Sequence, residues 1–296
     1  GVSGTVSFGY DAFLRLSQAT IGTSTIALGY DRDHLLTQVG SLTITRSPTT
    51  GFATNTALGA VTTTIRYDSL GRVAAETAFV SGVPQFGYTL SRDKAGQIIT
   101  RLGTVEGQSN QSVFAYDTVG RLTEVHNDGV LRATYGYDDN GNRLSRTTPT
   151  GNEVATFDDQ DRLISINSVQ YRYTPGGDLS LRIAGGDTTR FHYDAAGALR
   201  WVLMPDGTRI DYVIDALGRR IGRKVDGAFT HRFLYQATLR IDAELNEAGQ
   251  VITRYVYGLQ PNVPEYMIRA GVTYRLITDH RGSVRLVMRT SDGAIM

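Results

Sequence analysis

The sequence of 296 residues contains no cysteine, and this absence excludes both a disulfide framework and a thiolate metal site. Proline is scarce, with 7 residues, and no apolar run approaches the about 18 residues that span a bilayer. Positive and negative residues are nearly equal in number, with 30 Lys and Arg and 29 Asp and Glu. No basic block is present. We therefore expect no nucleic-acid partner and no membrane insertion by this segment.

Motifs of enzyme chemistry are missing as well. The 5 histidines are scattered without metal-ligand spacing, and no nucleophile elbow, Walker loop or dinucleotide fingerprint occurs. Residues 138–142 resemble a calcium loop, but glycine falls at the fourth place and not the sixth. We therefore predict that the chain is not an enzyme and has no catalytic, cofactor-binding or metal-binding residue.

Glycine (33 residues) and tyrosine (16 residues) are abundant, and both belong to one short phrase that recurs along the chain. The phrase is an aromatic residue, Asp, two variable residues, Gly, a basic or polar residue and an aliphatic residue. Its clearest copies are 67–73 (YDSLGRV), 116–122 (YDTVGRL), 137–141 (YDDNG) and 193–199 (YDAAGAL). A fixed period of this kind is typical of an array of small similar units.

Each copy predicts a β-hairpin. Asp at the first turn position can accept hydrogen bonds from backbone N–H groups two or three residues on, and Gly at the fourth position can adopt a positive φ. Apolar residues alternate with polar ones on both sides of the turn, as strands require. We predict structural turn roles for Asp68, Gly71, Asp117, Gly120, Asp138, Gly141, Asp194, Gly197, Asp215, Gly218, Asp279 and Gly282.

About a dozen copies, the weaker ones included, predict about 24 strands of about six residues each. Nothing in the chain has the apolar period of a long helix, so we predict an all-β fold of tandem β-hairpins in a long antiparallel sheet. A sheet of about 115 Å must curl, close or split, and we expect it to coil into a superhelical shell or barrel segment. A sandwich or a propeller is the alternative, although a propeller blade needs about 40 residues.

The recurring arginines and the recurring aromatic residues can each be interpreted as binding residues or as structural residues. A ladder of Arg72, Arg121, Arg162 and Arg219 could bind anions, but we expect these residues to pair with the Asp of their turn or to stay solvated. An aromatic platform for sugars could be formed by Tyr116, Tyr137, Tyr193 and Trp201, but we expect stacked cross-strand pairs instead.

The adjacent residues Asp279 and His280 invite a catalytic interpretation. A turn in which Asp279 caps Gly282 explains them equally well, and we favour that structural account.

The repeat and the C-terminal stretch together resemble the RHS/YD-repeat family, which includes bacterial RHS polymorphic toxins, the shell components of Tc toxins and the teneurins. The C-terminal stretch carries the resemblance with 255–259 (YVYGL), 261–266 (PNVPEY) and 278–285 (TDHRGSVR). The resemblance implies a β-ribbon that spirals into a hollow shell. It also implies two regions, YD/RHS hairpin repeats at 1–250 and the beginning of the RHS-associated core region at 251–296.

In bacterial members of that family the shell encloses a variable C-terminal toxic domain, which some members release by self-cleavage at an Asp-Pro-x-Gly sequence. This chain contains no such sequence. We therefore expect a non-catalytic structural shell segment of an exported or cell-surface-associated bacterial RHS-type toxin. Its expected partners are the C-terminal toxin cargo, the remaining shell segments of the same polypeptide and a delivery-system protein, with self-association through exposed sheet edges.

A teneurin-like recognition or adhesion module that binds protein or glycan is the alternative function. Loop insertions would favour it, and the long gap between turn phrases from Gln250 to Thr278 is the only candidate for one.

Overall fold

The structure is a computed structural model that describes residues 4–296. Within that range the chain forms 28 β-strands and no helix. Accordingly, the described residues offer no helix with the length and hydrophobicity needed to cross a membrane. The strands are β1 Val6–Tyr10, β2 Leu16–Ile21, β3 Ser24–Tyr30, β4 Leu36–Val39, β5 Leu42–Arg46, β6 Ala53–Leu58, β7 Val61–Tyr67, β8 Val73–Val80, β9 Val83–Arg92, β10 Ile98–Val105, β11 Gln108–Tyr116, β12 Leu122–Asn127, β13 Val130–Tyr137, β14 Arg143–Thr148, β15 Gly151–Phe157, β16 Leu163–Ile166, β17 Val169–Tyr173, β18 Leu179–Ala184, β19 Asp187–Tyr193, β20 Leu199–Leu203, β21 Arg209–Ile214, β22 Arg220–Val225, β23 Ala228–Ala237, β24 Arg240–Leu245, β25 Val251–Tyr257, β26 Pro264–Arg269, β27 Val272–Thr278 and β28 Val284–Arg289.

Strands that follow one another in the chain pair antiparallel, as β7 does with β8 and β12 with β13. A register shift precedes the repeat turn between β7 and β8, where Arg66 lies opposite Ala75 and Tyr67 opposite Val73. Ala74 is therefore the extra residue of a β-bulge, which increases the local twist just outside the turn. The same shift recurs between β11 and β12.

The chain divides into two compact units. Unit 1 comprises Gly1–Leu90, Leu102–Ser109 and His231–Met296, and unit 2 comprises Ser91–Arg101 and Asn110–Thr230. In unit 1 the first strands of the chain pack against the last ones.

The core of unit 1 joins residues that are far apart in sequence. Leu42 and Ile44 alternate with exposed Thr43 on β5, so both face inward. They belong to one buried cluster with Val256 and Tyr266 of the C-terminal strands, and Leu42 is 0% exposed. Because burial of each large apolar side chain stabilises a fold by about 1.5–3 kcal/mol, this cluster contributes strongly to the stability of unit 1.

Unit 2 is packed differently. Its part of the described chain contributes only Ala133 and Val202 to the buried hydrophobic side chains. Most side chains on its strands are partly or fully exposed, as on β15, where buried positions are absent. Since isolated hairpins are marginal in water, contacts between neighbouring hairpins must supply the stability that a two-layered core would otherwise give.

The predicted all-β fold of antiparallel hairpins is confirmed. The predicted count of about 24 strands falls short of the 28 observed, because β23, β26, β27 and β28 lie outside the dozen copies counted, although the Asp279 turn joins β27 to β28. The stretch from Gln250 to Thr278, which was the candidate for a loop insertion, instead forms β25, β26 and β27. The boundary at residue 250 stays a prediction.

Candidate functional site

The turn at Asp68 shows how the repeated phrase closes a hairpin. The Asp68 N–H donates to the Arg72 carbonyl at 2.9 Å, and the Gly71 N–H donates to the Asp68 carbonyl at 3.0 Å. Oδ1 of Asp68 accepts from the N–H groups of Leu70 and Arg72, at 3.0 and 2.9 Å. The donors lie two and four residues on, rather than two and three. Gly71 has a φ of +76°, which an L-residue adopts only with strain.

The other predicted turn residues occupy equivalent places. In each of these turns the Gly N–H donates to the Asp carbonyl, at distances from 2.9 to 3.2 Å, in the pairs Gly120 with Asp117, Gly141 with Asp138, Gly197 with Asp194, Gly218 with Asp215 and Gly282 with Asp279. The glycines all have positive φ, from +76° to +91°. The structure thus spreads these twelve residues over six separate turns and does not gather them into one site.

The arginine of the phrase binds the aspartate of its own turn. Nε of Arg72 lies 2.7 Å from Oδ2 of Asp68, and the same pair recurs for Arg121 with Asp117. Arg162 with Asp158 and Arg219 with Asp215 repeat it. The expectation that these arginines pair with their turn aspartates is confirmed. The Arg121 backbone N–H, and then its guanidinium, hold the pKa of the Asp117 carboxyl below its usual value.

The tyrosine of the phrase reaches back to the previous turn. The Tyr137 hydroxyl donates to the carbonyl of Leu122, the first residue after that turn, at 2.8 Å. Tyr30, Tyr67, Tyr116, Tyr173 and Tyr257 repeat this bond at 2.8 to 2.9 Å. The hydroxyl groups of Tyr116 and Tyr137 thus satisfy a backbone carbonyl, and cross-strand stacking of their rings stays a prediction.

Arginine and tyrosine also contact each other from one turn to the next. The guanidinium of Arg121 lies 5.0 Å from the centre of the Tyr137 ring, and its Nη1 donates to the Asp138 carbonyl at 2.6 Å. The cation–π contact recurs for Arg15 over Tyr30, Arg162 over Tyr173 and Arg240 over Tyr257. We call this chain of Asp, Arg and Tyr contacts the turn ladder. It ties several hairpins to the ones that follow them.

Trp201 behaves as predicted. Its ring stacks on His192, directly opposite on the neighbouring strand, at 5.0 Å and 16°. The guanidinium of Arg209 lies 5.0 Å from the same ring. The Trp201 ring is therefore engaged by its own neighbours, which leaves less of it for a sugar.

Two arginines buried in unit 1 are sites that sequence reasoning missed. Nη1 of Arg275 lies 2.7 Å from Oε2 of Glu265, and both side chains are less than a tenth exposed. Nη2 of Arg275 donates to the Thr56 hydroxyl at 3.3 Å, 219 residues away in the chain. The hydroxyl groups of Thr56 and Thr63 are 2.7 Å apart.

Arg254 makes the second buried link. Its Nη2 donates to the carbonyl of Ala19 at 3.0 Å, and its Nη1 donates to the carbonyl of Ser24. Oδ2 of Asp242 lies 3.7 Å from Nη2 of Arg254. Burial raises the pKa of the Asp242 carboxyl and lowers that of the Arg254 guanidinium. We call Arg254 and Arg275 the buried clasp, because each joins the C-terminal strands to the N-terminal ones. A charged residue inside a mostly apolar strand was the sequence signal for each.

The block at Asp279 and His280 sits beside the clasp. Oδ1 of Asp279 accepts from the Arg281 and Ser283 N–H groups, as a turn cap does. The His280 ring lies 5.6 Å from that of Tyr88, whose hydroxyl donates to Glu76 at 3.0 Å. Across residues 4–296, no group of three His, Cys, Asp or Glu is arranged to hold a metal ion.

The fold and the turn ladder define the class of this protein, a tandem β-hairpin protein of the YD-repeat type. The chain belongs to the Teneurin YD-shell family, whose model matches residues 2–296. The resemblance to the RHS/YD-repeat family is thereby confirmed.

Individual relatives include both animal and bacterial proteins. The chain is 27% identical over 245 residues to mouse Teneurin-3, a match of 80% of this chain and 9% of that protein. It is 29% identical over 229 residues to Double-stranded DNA deaminase toxin A of Burkholderia cenocepacia (strain H111), which covers 70% of this chain and 15% of the toxin.

Among solved structures, the crystal structure of TcdB2-TccC3-TEV superposes with a TM-score of 0.65 at 13% identity. The match covers 99% of this chain and 17% of the solved chain. The similarity shows a shared fold. The chain spans less than a fifth of each of these three relatives.

Proposed function

We propose that this chain is a non-catalytic wall segment of a YD shell that encloses a C-terminal toxic cargo domain during export and delivery. The observation that carries the proposal is the family match over residues 2–296 together with the similarity to a deaminase toxin. The fold shared with TcdB2-TccC3-TEV supports it. In this role the protein is exported or surface-associated in a bacterium, and its partners are the cargo, the other shell segments and a delivery-system protein.

The mechanism of such a wall is steric. A cargo behind it is kept from the surrounding solution by a sheet whose backbone groups are already paired. In unit 2, where few side chains are buried, the turn ladder fastens several hairpins to their neighbours and stabilises the sheet. The turn residues, from Asp68 and Gly71 to Asp279 and Gly282, are in this proposal structural and not catalytic.

Limited proteolysis of the full-length native protein tests the proposal. A domain that follows this segment should be digested much more slowly within the native protein than after it is expressed alone. A variant in which the clasp is broken by Arg275→Met should lose that protection, because unit 1 would open. Equal digestion rates for the enclosed and the isolated domain would refute the encapsulation role.

A recognition or adhesion module is the second candidate, and the similarity to mouse Teneurin-3 favours it. The strands found at 251–278 weaken it, since they occupy the stretch that was the candidate for a loop insertion. Binding of the purified chain to cell surfaces or to a glycan array, abolished by excess unlabelled chain, would support it. Absence of such binding, combined with cargo protection, would leave the shell as the better account.

A further inference from the structure

The face of unit 2 that carries Trp201 has a row of arginines outside the turn ladder. The row crosses five neighbouring strands, β17 to β21, with one residue from each. Its residues lie opposite one another in the order Arg172, Leu181, Arg190, Leu203 and Arg209. Arginine and leucine thus alternate across the sheet. We call these five residues the arginine row.

The arginines of the row are exposed, whereas the two leucines between them are half-buried. Within the described residues, the side chains of Arg172 and Arg190 have no ion-pair or hydrogen-bond partner, in contrast to the arginines of the turn ladder. Arg209 binds Asp211 at 2.9 Å. The row therefore offers two uncompensated guanidinium groups on a protein whose formal net charge is only +1.

A second row on the same face adds to the positive charge. It runs through His192, Trp201, Asp211 and Lys224, which also lie opposite one another. Together the two rows hold four cationic side chains and one carboxylate, that of Asp211. They border a groove of about 530 Å³ lined by Trp201, Arg209 and Lys224, among others. The local field of this face attracts an anionic ligand.

The spacing of the arginines selects among anionic ligands. Strands lie about 4.8 Å apart, so arginines on alternate strands are about 9.6 Å apart. A polyproline II segment rises about 3.1 Å per residue with three residues per turn, so every third side chain recurs on one side at about 9.3 Å. An acidic residue at every third position would therefore meet Arg172, Arg190 and Arg209 in turn, and its carboxylates can each bind a guanidinium by two hydrogen bonds.

Nucleic acid fits this face less well. Single-stranded nucleic acid is bound largely by stacking on free aromatic rings, and Trp201 is already stacked on His192 and covered by Arg209. Duplex DNA is bound through many phosphate contacts, whereas these two rows hold four cations.

From the unpaired charge, its spacing and the leucines between, we propose that the arginine row is a docking surface for an extended acidic peptide segment with a carboxylate at every third position. The carboxylates bind Arg172, Arg190 and Arg209, and the intervening side chains contact Leu181 and Leu203. The proposal is independent of the shell function, because it requires only the register of β17 to β21.

Fluorescence anisotropy with the 296-residue chain tests the proposal. One labelled peptide carries Glu at every third position among Pro and Ala, and a second has the same composition with its Glu residues consecutive. We expect the periodic peptide to bind at least about tenfold more tightly than the block peptide, a factor that corresponds to about 1.4 kcal/mol. Binding should weaken with added salt, because the contacts are exposed ion pairs.

Variants of the chain locate the surface. Arg172→Gln combined with Arg190→Gln should weaken binding of the periodic peptide at least about tenfold, whereas the corresponding lysine pair should retain part of it, since charge remains but the two-pronged hydrogen bonding is lost. Arg182→Gln is the matched control, because Arg182 is exposed and unpaired but lies on the opposite face, in register with Tyr171 and Thr189. It should leave binding unchanged.

Several results would overturn the proposal. These are equal binding of the periodic and block peptides, equal loss of binding with Arg182→Gln, and tighter binding of a double-stranded oligonucleotide than of the periodic peptide. Absence of peptide binding at millimolar concentration and low salt would do so as well. Loss of cargo protection in the proteolysis experiment would leave this proposal untouched.

Discussion

Arg121 connects two successive hairpins, because it pairs with Asp117 of its own turn while its guanidinium lies 5.0 Å from the ring of Tyr137 in the next. One side chain thus closes a turn and fixes its distance from the following turn. Repetition of this geometry explains why the phrase combines an aromatic residue, an aspartate and an arginine at constant spacing. The turn phrase therefore recurs in the sequence at the same spacing as the contacts of the turn ladder recur in the structure.

Replacement of Arg121 should loosen unit 2. Arg121→Gln removes the cation–π contact, worth about 0.5–1 kcal/mol at an exposed site, and the hydrogen bond to the Asp138 carbonyl. We expect a lower urea midpoint of unfolding, with Arg121→Lys intermediate because it keeps the charge but not the planar group. Arg172→Gln, a loss of equal charge outside the ladder, should leave the midpoint unchanged. A similar drop in both would show that net charge and not the ladder is responsible.

The tyrosine hydroxyl should contribute separately from its ring. Tyr137→Phe keeps the ring beneath Arg121 but removes the bond to the Leu122 carbonyl, at an expected cost of about 0.5–1.5 kcal/mol. Tyr10→Phe is the control, since Tyr10 is 61% exposed and its hydroxyl has no partner among the described residues. Thermal unfolding followed by circular dichroism measures the Tm of both variants. A Tyr137→Phe variant with the Tm of the unaltered protein would contradict this role for the hydroxyl.

Two glycines at the same turn position should differ in their tolerance of a methyl group. Gly71 and Gly249 have φ of +76° and +79°, so alanine is strained at both by about 1–2 kcal/mol. At Gly71 a Cβ atom would also lie 2.9 Å from the Phe52 ring, whereas at Gly249 it would meet open space. Both belong to unit 1, so their urea midpoints are comparable. Gly71→Ala should be the less stable variant, and the reverse order would show that the ring moves aside freely.

The buried clasp should be the most sensitive site. Arg275→Met leaves Glu265 buried and uncompensated, which costs about 3–5 kcal/mol. The double variant with Glu265→Gln should recover part of that loss, because the remaining side chain is then neutral. A double-mutant cycle in urea measures the coupling. Additive losses would indicate that the two side chains act independently.

The turn aspartates should make stability fall in acid. The pKa of Asp68, Asp117 and Asp138 lies below the ordinary value, because backbone and side-chain N–H groups bind the carboxylates. Their contribution is present above the unfolded pKa of about 4 and is lost as the pH falls through the lower folded value. Asp117→Asn should therefore destabilise the protein at pH 7 and much less at pH 3, as judged by urea midpoints. A loss of stability that is equal at both pH values would show that the charge of the Asp117 carboxylate contributes nothing and that only the turn geometry matters.

Burial of Glu76 acts in the opposite sense. Desolvation raises the pKa of its carboxyl, so the folded state favours the protonated form and this group penalises folding as the pH rises above the unfolded pKa. Glu76→Gln should then increase stability at pH 7 more than at pH 4. The matched exposed variant Glu106→Gln should change stability little at either pH. An equal gain at both pH values would contradict the role of ionisation.

Local features of the fold followed from the sequence alone. The turn phrase located the repeat hairpins, and alternation of apolar and polar residues located the strands, because both depend on contacts within a few residues. Glycine at the fourth turn position is explained by positive φ, which is a local property of the backbone. The pairing of Arg121 with Asp117, four residues apart, was predictable for the same reason.

Only the tertiary structure decided what lies on either face of each strand and which distant strands meet. Arg254 binds the Ala19 carbonyl across 235 positions of sequence, and no period-two pattern encodes such a partner. The sequence likewise could not show that Arg172 lies without a partner among the described residues, because only the register of the neighbouring strand places Leu181 and not a carboxylate opposite it.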